Sequence, residues 1–345
     1  MIAVFAIPSI VKISHDKKLL DIPNGRTIHS RSTPRLGGLA IFAGFLSALT
    51  IFGHLEGGVQ YLLAGSSVLF FIGLKDDIVT VSAFKKFFVQ VLATSIVLFI
   101  GNIRITSFQG LFGIGELDMG MSYIFSLLVV IAVTNALNLI DGLDGLAGSL
   151  IFVTLAVLGL FFFLDSSKVY SNYMYVAVCL MGGILGFLRF NFHKAIIFMG
   201  DAGSLVCGFI ISILTINFIE MKPTGSNPTI ALGILFVPLF DTLRIFTIRI
   251  LQGRSPFSPD KNHIHHRLLA AGLSQLTTVI VLSLIHICII SFVILTSHLG
   301  SNFQLLFLVG FSGLLGLILE FLPRLNKPQT IVHEKTVVKS EKFEV

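Results

Sequence analysis

Asn135-Ala-Leu-Asn138-Leu-Ile-Asp141-Gly-Leu-Asp144-Gly-Leu146 closes an apolar run, Tyr123 to Ile140, that is long enough to cross a bilayer. Two amides and two carboxylates recur in it at steps of three. Polar side chains at membrane depth are costly, so they mark a site more often than a core. Residues three apart are helix neighbours, but each step drifts by about 60°, so a regular helix cannot hold all four on one face. Gly142 and Gly145 let the backbone bend and bring the two carboxylates together at the membrane edge. Paired carboxylates with amides suit a divalent cation and a phosphate-bearing ligand. The plainer alternative is a helix exit, with Asp at a cap and Gly in a turn.

Around this stretch the chain of 345 residues is 54% hydrophobic and 12% charged. Soluble domains carry about 25% charged residues, so this is an all-α, polytopic membrane protein. Apolar runs of spanning length lie near 36–54, 59–74, 86–101, 122–140, 145–164, 171–188, 203–219, 228–248, 275–297 and 302–322. A first run, Met1 to Ile13, is short, carries Pro8 and lacks the basic start and cleavage site of a signal peptide. Counted as a truncated or tilted helix, it brings the expected number of transmembrane helices to about 11. Of the 24 Lys and Arg, Arg104, Lys168 and Lys222 fall on one side of the membrane and the rest on the other. The basic side is expected to be cytoplasmic, which puts the C-terminus inside. One membrane domain is expected over 1–323, followed by a flexible cytoplasmic tail over 324–345. Cys179, Cys207 and Cys288 lie in apolar runs and read as buried thiols, without a disulfide framework. His286, alone in an apolar helix, reads as an interhelical hydrogen-bonding group, and Gly182, Gly183 and Gly186 as close helix packing.

Every polar cluster falls on the basic side, which argues for a cytoplasmic active site. Arg26, His29, Arg31 and Arg35 precede Gly37 and Gly38 in a loop fit to hold a phosphate, or anionic lipid headgroups. Lys75-Asp76-Asp77 is followed by Lys85 and Lys86; adjacent Asp residues point about 100° apart, so one can ligate or position while the other acts as base. Asn191 and His193 precede Phe198-Met-Gly200-Asp201-Ala-Gly203-Ser204, where helix-start N–H groups favour an anion and Asp201 is either an N-cap or a site residue. His263, His265 and His266 match no common zinc spacing and suit phosphate oxygens better. Asp241 and Arg244 read as an ion pair shaping the site.

These pieces, in this order and on one membrane side, resemble the polyprenyl-phosphate N-acetylhexosamine-1-phosphate transferase superfamily, of the glycosyltransferase family 4 type. The matching residues are Arg31-Ser-Thr-Pro-Arg-Leu-Gly-Gly38, Lys75-Asp-Asp77 with Lys86, Asn138-Leu-Ile-Asp141-Gly-Leu-Asp144-Gly, Asn191 ten before Asp201, and His263-Ile-His265-His266; together they span about residues 17 to 275. The resemblance implies a cytoplasmic active-site groove and a Mg²⁺-dependent reaction, with Mn²⁺ as a substitute. In it a polyprenyl phosphate such as undecaprenyl phosphate attacks a UDP-N-acetylamino sugar and releases UMP. It implies Asp201 as metal ligand and Asp76 as base, with Asp77 positioning metal or phosphate. It implies Asn138, Asp141 and Asp144 at the nucleotide, Phe198 as a uracil stacking face, and Asn191, Lys86, Arg31, His263, His265 and His266 on the substrates. The sequence His-Ile-His-His-Arg-Leu is similar to the GlcNAc-1-phosphate branch, which makes UDP-GlcNAc the expected donor and a phospho-MurNAc-pentapeptide translocase the alternative. The implied setting is the plasma membrane, with a homodimer as an expected assembly and no nucleic-acid partner.

A transporter would also place acids in a membrane, but on both sides of the bilayer. An intramembrane aspartyl protease and a CDP-alcohol phosphotransferase also use paired Asp residues. Here the Gly two before Asp201 and the Arg of an Asp-Gly-x-x-Ala-Arg pattern are missing.

Overall fold

The computed structural model describes residues 1–21, 32–221, 227–256 and 262–325. The apolar runs fold into helices, one of them broken in two, and a short helix is added after residue 262. In chain order they are α1 (Ile2–Asp16), α2 (Gly37–Phe52), α3 (Val59–Ile78), α4 (Ala83–Ser95, continued by a π turn, Ile96–Ile100), α5 (Met119–Leu139), α6 (Leu146–Leu164) and α7 (Ser171–Asn191). They are followed by α8 (Gly200–Glu220), α9 (Pro228–Ile234), α10 (Phe236–Leu251), α11 (Ile264–Ala270), α12 (Gln275–Leu295) and α13 (Ser301–Leu325). Among the described residues seven helices are long and apolar enough to cross a bilayer, or eight if α9 and α10 form one bent span. The chain is therefore a multi-pass membrane protein. α1 and α2, at 15 and 16 residues, are short for a bilayer crossing, and α3 ends on Lys75-Asp76-Asp77.

α8 is the axis of the bundle. Every residue from Ala202 to Ile219 is buried, and α2, α3, α5 and α6 pack around it. A helix apolar all round its circumference can only sit inside a bundle. Its first turn is gripped closely: Gly38 of α2 meets the Gly203 backbone, and Gly73 of α3 meets Ala202, with no room at either for a side chain. Gly183 and Gly186 likewise bring α7 against Ile41 and Ala3, whereas Gly182 meets nothing. Serine and threonine hydroxyls inside the helices, such as those of Ser66, Thr94 and Thr215, donate to the carbonyl four residues back, which satisfies them without water. His286 Nε2 meets Thr154 Oγ1 across α12 and α6 at 3.2 Å.

The single helix expected over 228–248 is instead two, bent by 84°. Pro238 lacks the N–H that would bond the Ile234 carbonyl, so the first helix stops and Pro238 falls in the first turn of the next, where no donor is needed. Helix α13 runs past the expected domain end at 323; Arg31, Lys222 and the tail from 326 lie outside the described residues. At the end of α8 away from the acidic loops, the Glu220 carboxylate accepts the Thr106 N–H at 2.8 Å and the Thr106 hydroxyl at 2.6 Å. This pins the connection between α4 and α5 over that end of the bundle.

Candidate active site

The turn into α8 builds the site. Phe198 N donates to the Pro34 carbonyl at 2.8 Å, Gly37 N to the Phe198 carbonyl at 2.9 Å and Gly38 N to the Met199 carbonyl at 2.8 Å. Residues 34–38 are thus zipped to the segment that leads to Asp201. Gly200 has φ +71, and a side chain there would strike the Arg35 carbonyl and the Asp77 carboxylate. Only glycine fits this left-handed position. Asp201 follows in the first turn of α8.

The Asp201 carboxylate collects groups from three other helices. Lys86 Nζ of α4 lies 2.7 Å from Asp201 Oδ2 and 3.2 Å from Asp76 Oδ2 of α3. Asn138 Nδ2 of α5 donates to Asp201 Oδ1 at 3.3 Å and to Ser204 Oγ at 2.7 Å. Asp76 also accepts the Val81 N–H at 2.6 Å. Asp77 stands behind Asp201: its two oxygens accept the N–H groups of Asp201 and Ala202 at 2.7 and 3.0 Å. A carboxylate at a helix N-terminus is favourable, so α3 caps α8 across the bundle.

One turn deeper, Asn135 faces α4 and exchanges hydrogen bonds with Gln90 at 2.7 and 3.3 Å. The two amides of α5 therefore face different neighbours, as their angular drift requires. α5 ends at Leu139, and Gly145, with φ +77, starts α6, so Asp141 and Asp144 lie in a non-helical turn. Asn191 and Asp144 stitch this turn to the next loop. Asn191, 4% exposed, accepts the Gly145 N–H at 2.8 Å and donates to the Ile197 carbonyl at 2.9 Å, while Asp144 accepts the Ala195 N–H at 3.0 Å.

A cavity of about 310 Å³ opens here, within the range of small-molecule sites. Asp21, Arg35, Asn138, Asp141, Asp144, Asn191, Phe198, Asp201, His266 and Gln275 line it. Lost hydration pushes the Asp141 carboxyl up to about 7; Asp201 and Asp144 add to this and Arg35 opposes it. Among the described lining residues four carboxylates, Asp21, Asp141, Asp144 and Asp201, face one guanidinium, that of Arg35. Such a surface repels a bare anion and would be balanced by a divalent cation. No group of three or more His, Cys, Asp or Glu stands ready to hold a metal among the described residues. Mg²⁺ needs only one or two carboxylates and completes its shell with water and substrate phosphate. Asp201, with Asp141 facing the same cavity, supplies such oxygens.

The three histidines have three fates. His263 Nδ1 meets Asp241 Oδ2 at 2.7 Å, and the other Asp241 oxygen accepts the Ile264 N–H at 2.7 Å. Asp241 thus takes His263 as partner where Arg244 was expected, and Arg244 donates to the Asn262 carbonyl at 2.8 Å. His265 is buried against Gly142, behind the acidic turn, and only His266 lines the cavity. Burial drives the His265 ring down to about 3, helped by His266 and His263 and opposed by Asp241, so it is uncharged at neutral pH. His265 is thus an uncharged ring set back from the lining that His266 reaches. Between about pH 6.5 and 3 the unfolded chain binds a proton at this ring that the folded chain does not, so acid destabilises the fold. Moving from about pH 7.5 to 5 should lower the melting temperature of the wild type more than that of His265→Gln. Equal shifts in scanning calorimetry would show that the ring does not titrate this way.

Asp21 and Gln275 belong to the site beyond the residues singled out in the sequence, which had already flagged Arg35 in its loop of cations and Gly142 in its bend.

A model for Glycosyl transferase family 4 matches residues 59–219. A probable undecaprenyl-phosphate N-acetylglucosaminyl 1-phosphate transferase of Bacillus subtilis (strain 168) is 37% identical over 288 residues, covering 83% of this chain and 79% of its own length. A decaprenyl-phosphate N-acetylglucosaminephosphotransferase of Mycobacterium leprae (strain TN) is 33% identical, over 82% of this chain and 78% of its own. An undecaprenyl-phosphate alpha-N-acetylglucosaminyl 1-phosphate transferase of Escherichia coli O157:H7 is 31% identical, over 79% and 75%.

Proposed function

The chain belongs to glycosyl transferase family 4, and on that premise we propose that it transfers GlcNAc-1-phosphate from UDP-GlcNAc to a polyprenyl phosphate, releasing UMP. The observation that carries this reading is the gathering of Asp76, Lys86, Asn138 and Asp201, from four helices, beside one cavity with Asp141. The names of the relatives support the acceptor and the sugar phosphate. The basic loops support a cytoplasmic site in a bundle of eleven crossings.

An oxygen of the lipid phosphate attacks the β-phosphorus of the donor. The new P–O bond forms as the bond to the α-phosphate oxygen breaks, and the electron pair leaves with UMP. Asp76 takes the last proton of the lipid phosphate. This is a small task, because the second pKa of a phosphate monoester is about 6. Phe198 offers its ring to the uracil, and Asn138, Asp141 and Asp144 line the nucleotide. Lys86 and His266 face the charge that builds on the transferred group, since phosphoryl transfer depends mainly on positioning and neutralisation. Mg²⁺ held by Asp201 would supply charge neutralisation to the diphosphate.

UMP release by the purified protein in detergent tests this, with undecaprenyl phosphate, Mg²⁺ and, in parallel, UDP-GlcNAc, UDP-GalNAc and UDP-MurNAc-pentapeptide. The expected result is release that needs lipid and metal and is fastest with UDP-GlcNAc. Silence with all three donors, or UDP-MurNAc-pentapeptide as the best of them, would overturn it.

A further inference from the structure

We propose that Arg35 is the group that receives the phosphate oxygens of the nucleotide-sugar, and that Asp21 holds Arg35 in reserve until that anion arrives. This rests on the cavity being the donor site. Among the described lining residues Arg35 supplies the one guanidinium or ammonium. Lys86 is already engaged with Asp76 and Asp201 and is not among those lining residues.

The backbone of Arg35 is fixed, because Pro34 and Gly37 on either side of it are zipped to Phe198. Its side chain is not so confined. The guanidinium lies 2.7 Å from Asp21 Oδ2, with the Arg35 side chain 49% exposed and that of Asp21 13% exposed. The guanidinium end of this pair is half open to water, which weakens the pair and lets the arginine exchange its partner. Phosphate is the better partner, because a guanidinium fork meets two of its oxygens at once. Asp21 is itself held in place: its N–H donates to the Thr33 carbonyl at 2.9 Å and its carbonyl accepts the Thr33 N–H at 3.2 Å. One partner is thus fixed at the cavity mouth, and the other has a side chain long enough to turn inward. While it is paired with Asp21, the guanidinium binds stray anions less tightly. With Arg35 turned inward, its charge joins Lys86 around the diphosphate.

The rival account is structural: the pair only struts the loop between Asp21 and Thr33. The two accounts predict opposite signs for one variant. If Arg35 is the ligand, Arg35→Gln raises the KM for UDP-GlcNAc by about ten- to a hundred-fold, the cost of one charge-assisted contact. Arg35→Lys falls between, because an ammonium lacks the fork. Asp21→Asn then lowers the donor KM by about two- to five-fold, since the competitor of the ligand is gone. If the pair is a strut, both changes weaken donor binding alike and the double variant is no worse than either.

The experiment is steady-state kinetics on the purified full chain, varying UDP-GlcNAc and undecaprenyl phosphate separately, with calorimetric binding of UDP to the same proteins. The expected result is opposite shifts for the two variants in donor KM and in UDP affinity. Equal losses from both, or a shift confined to the lipid KM, would overturn the proposal. A wild type that binds UDP but turns over no donor would instead indict the proposed reaction, and the UDP titrations would still decide on Arg35.

Discussion

Asp201→Asn is expected to lower the rate of UMP release by about a thousand-fold while the protein still folds. Asparagine keeps the shape of the side chain and an oxygen that can accept from Asn138 Nδ2. Its backbone N–H can still donate to Asp77, so the start of α8 survives. What disappears is the negative charge. Lys86 then has only Asp76 as an acidic partner, and the cavity loses one of its four carboxylates. In the resting protein that change lessens repulsion, because Asp201 helps to push the Asp141 carboxyl upward. The variant's amide nitrogen takes the place of the oxygen that faces Lys86 Nζ, so the lost ion pair offsets that relief and the melting temperature should move by no more than about 3 °C. The loss should appear in kcat, since a cation held by Asp201 would matter most where charge develops on the transferred phosphoryl group. The measurement is kcat at saturating donor and lipid across a Mg²⁺ titration, with the melting temperature as control. A variant that keeps the rate within about ten-fold at high Mg²⁺ would remove Asp201 from the centre of the site.

The pattern of helices was legible because a spanning helix needs about 20 apolar residues, and few other structures use such runs. The approach of Asp201 to Asn138, 63 residues away, was not legible from spacing, because α3, α4, α5 and α8 meet only through tertiary packing. That they meet at one end of the bundle was, since Asp76, Lys86, Asp141 and Asp201 all sit where apolar runs end. The break before α10 hid inside a continuous apolar run whose periodicity does not change at Pro238. A helix and a bent pair of helices look alike there until packing chooses between them. Asp21 was missed for a different reason. A single acid among Lys17, Lys18 and Pro23 reads as loop charge, and only its position opposite Arg35 gives it meaning. Asn191 shows the reverse: the spacing to Asp201 flagged it as a substrate residue, and although it lines the cavity, its amide ties Gly145 to Ile197.

Asp77 separates a ligand from a brace. The sequence allowed it to hold metal or to position phosphate. In the fold, both of its oxygens accept N–H groups at the start of α8, and its effect reaches the cavity through Asp201. Asp77→Asn is expected to reduce kcat by about a hundred-fold, because an amide nitrogen would face one of those donors and push the first turn of α8 away. Leaving that N–H unpaired should also cost about 1–3 kcal/mol, visible as a lower melting temperature without Mg²⁺. The Mg²⁺ concentration for half-maximal rate should move by less than about three-fold, because the carboxylate that would hold the ion, Asp201, is still present. A direct ligand would behave the other way: Mg²⁺ dependence would shift by about ten-fold or more, and melting without metal would not change. Observing that second pattern would move Asp77 from the support of the site into its metal shell. Observing the first would mean that the Asp76-Asp77 pair divides its work by direction, one carboxylate turned to Lys86 and the other to the backbone that carries Asp201.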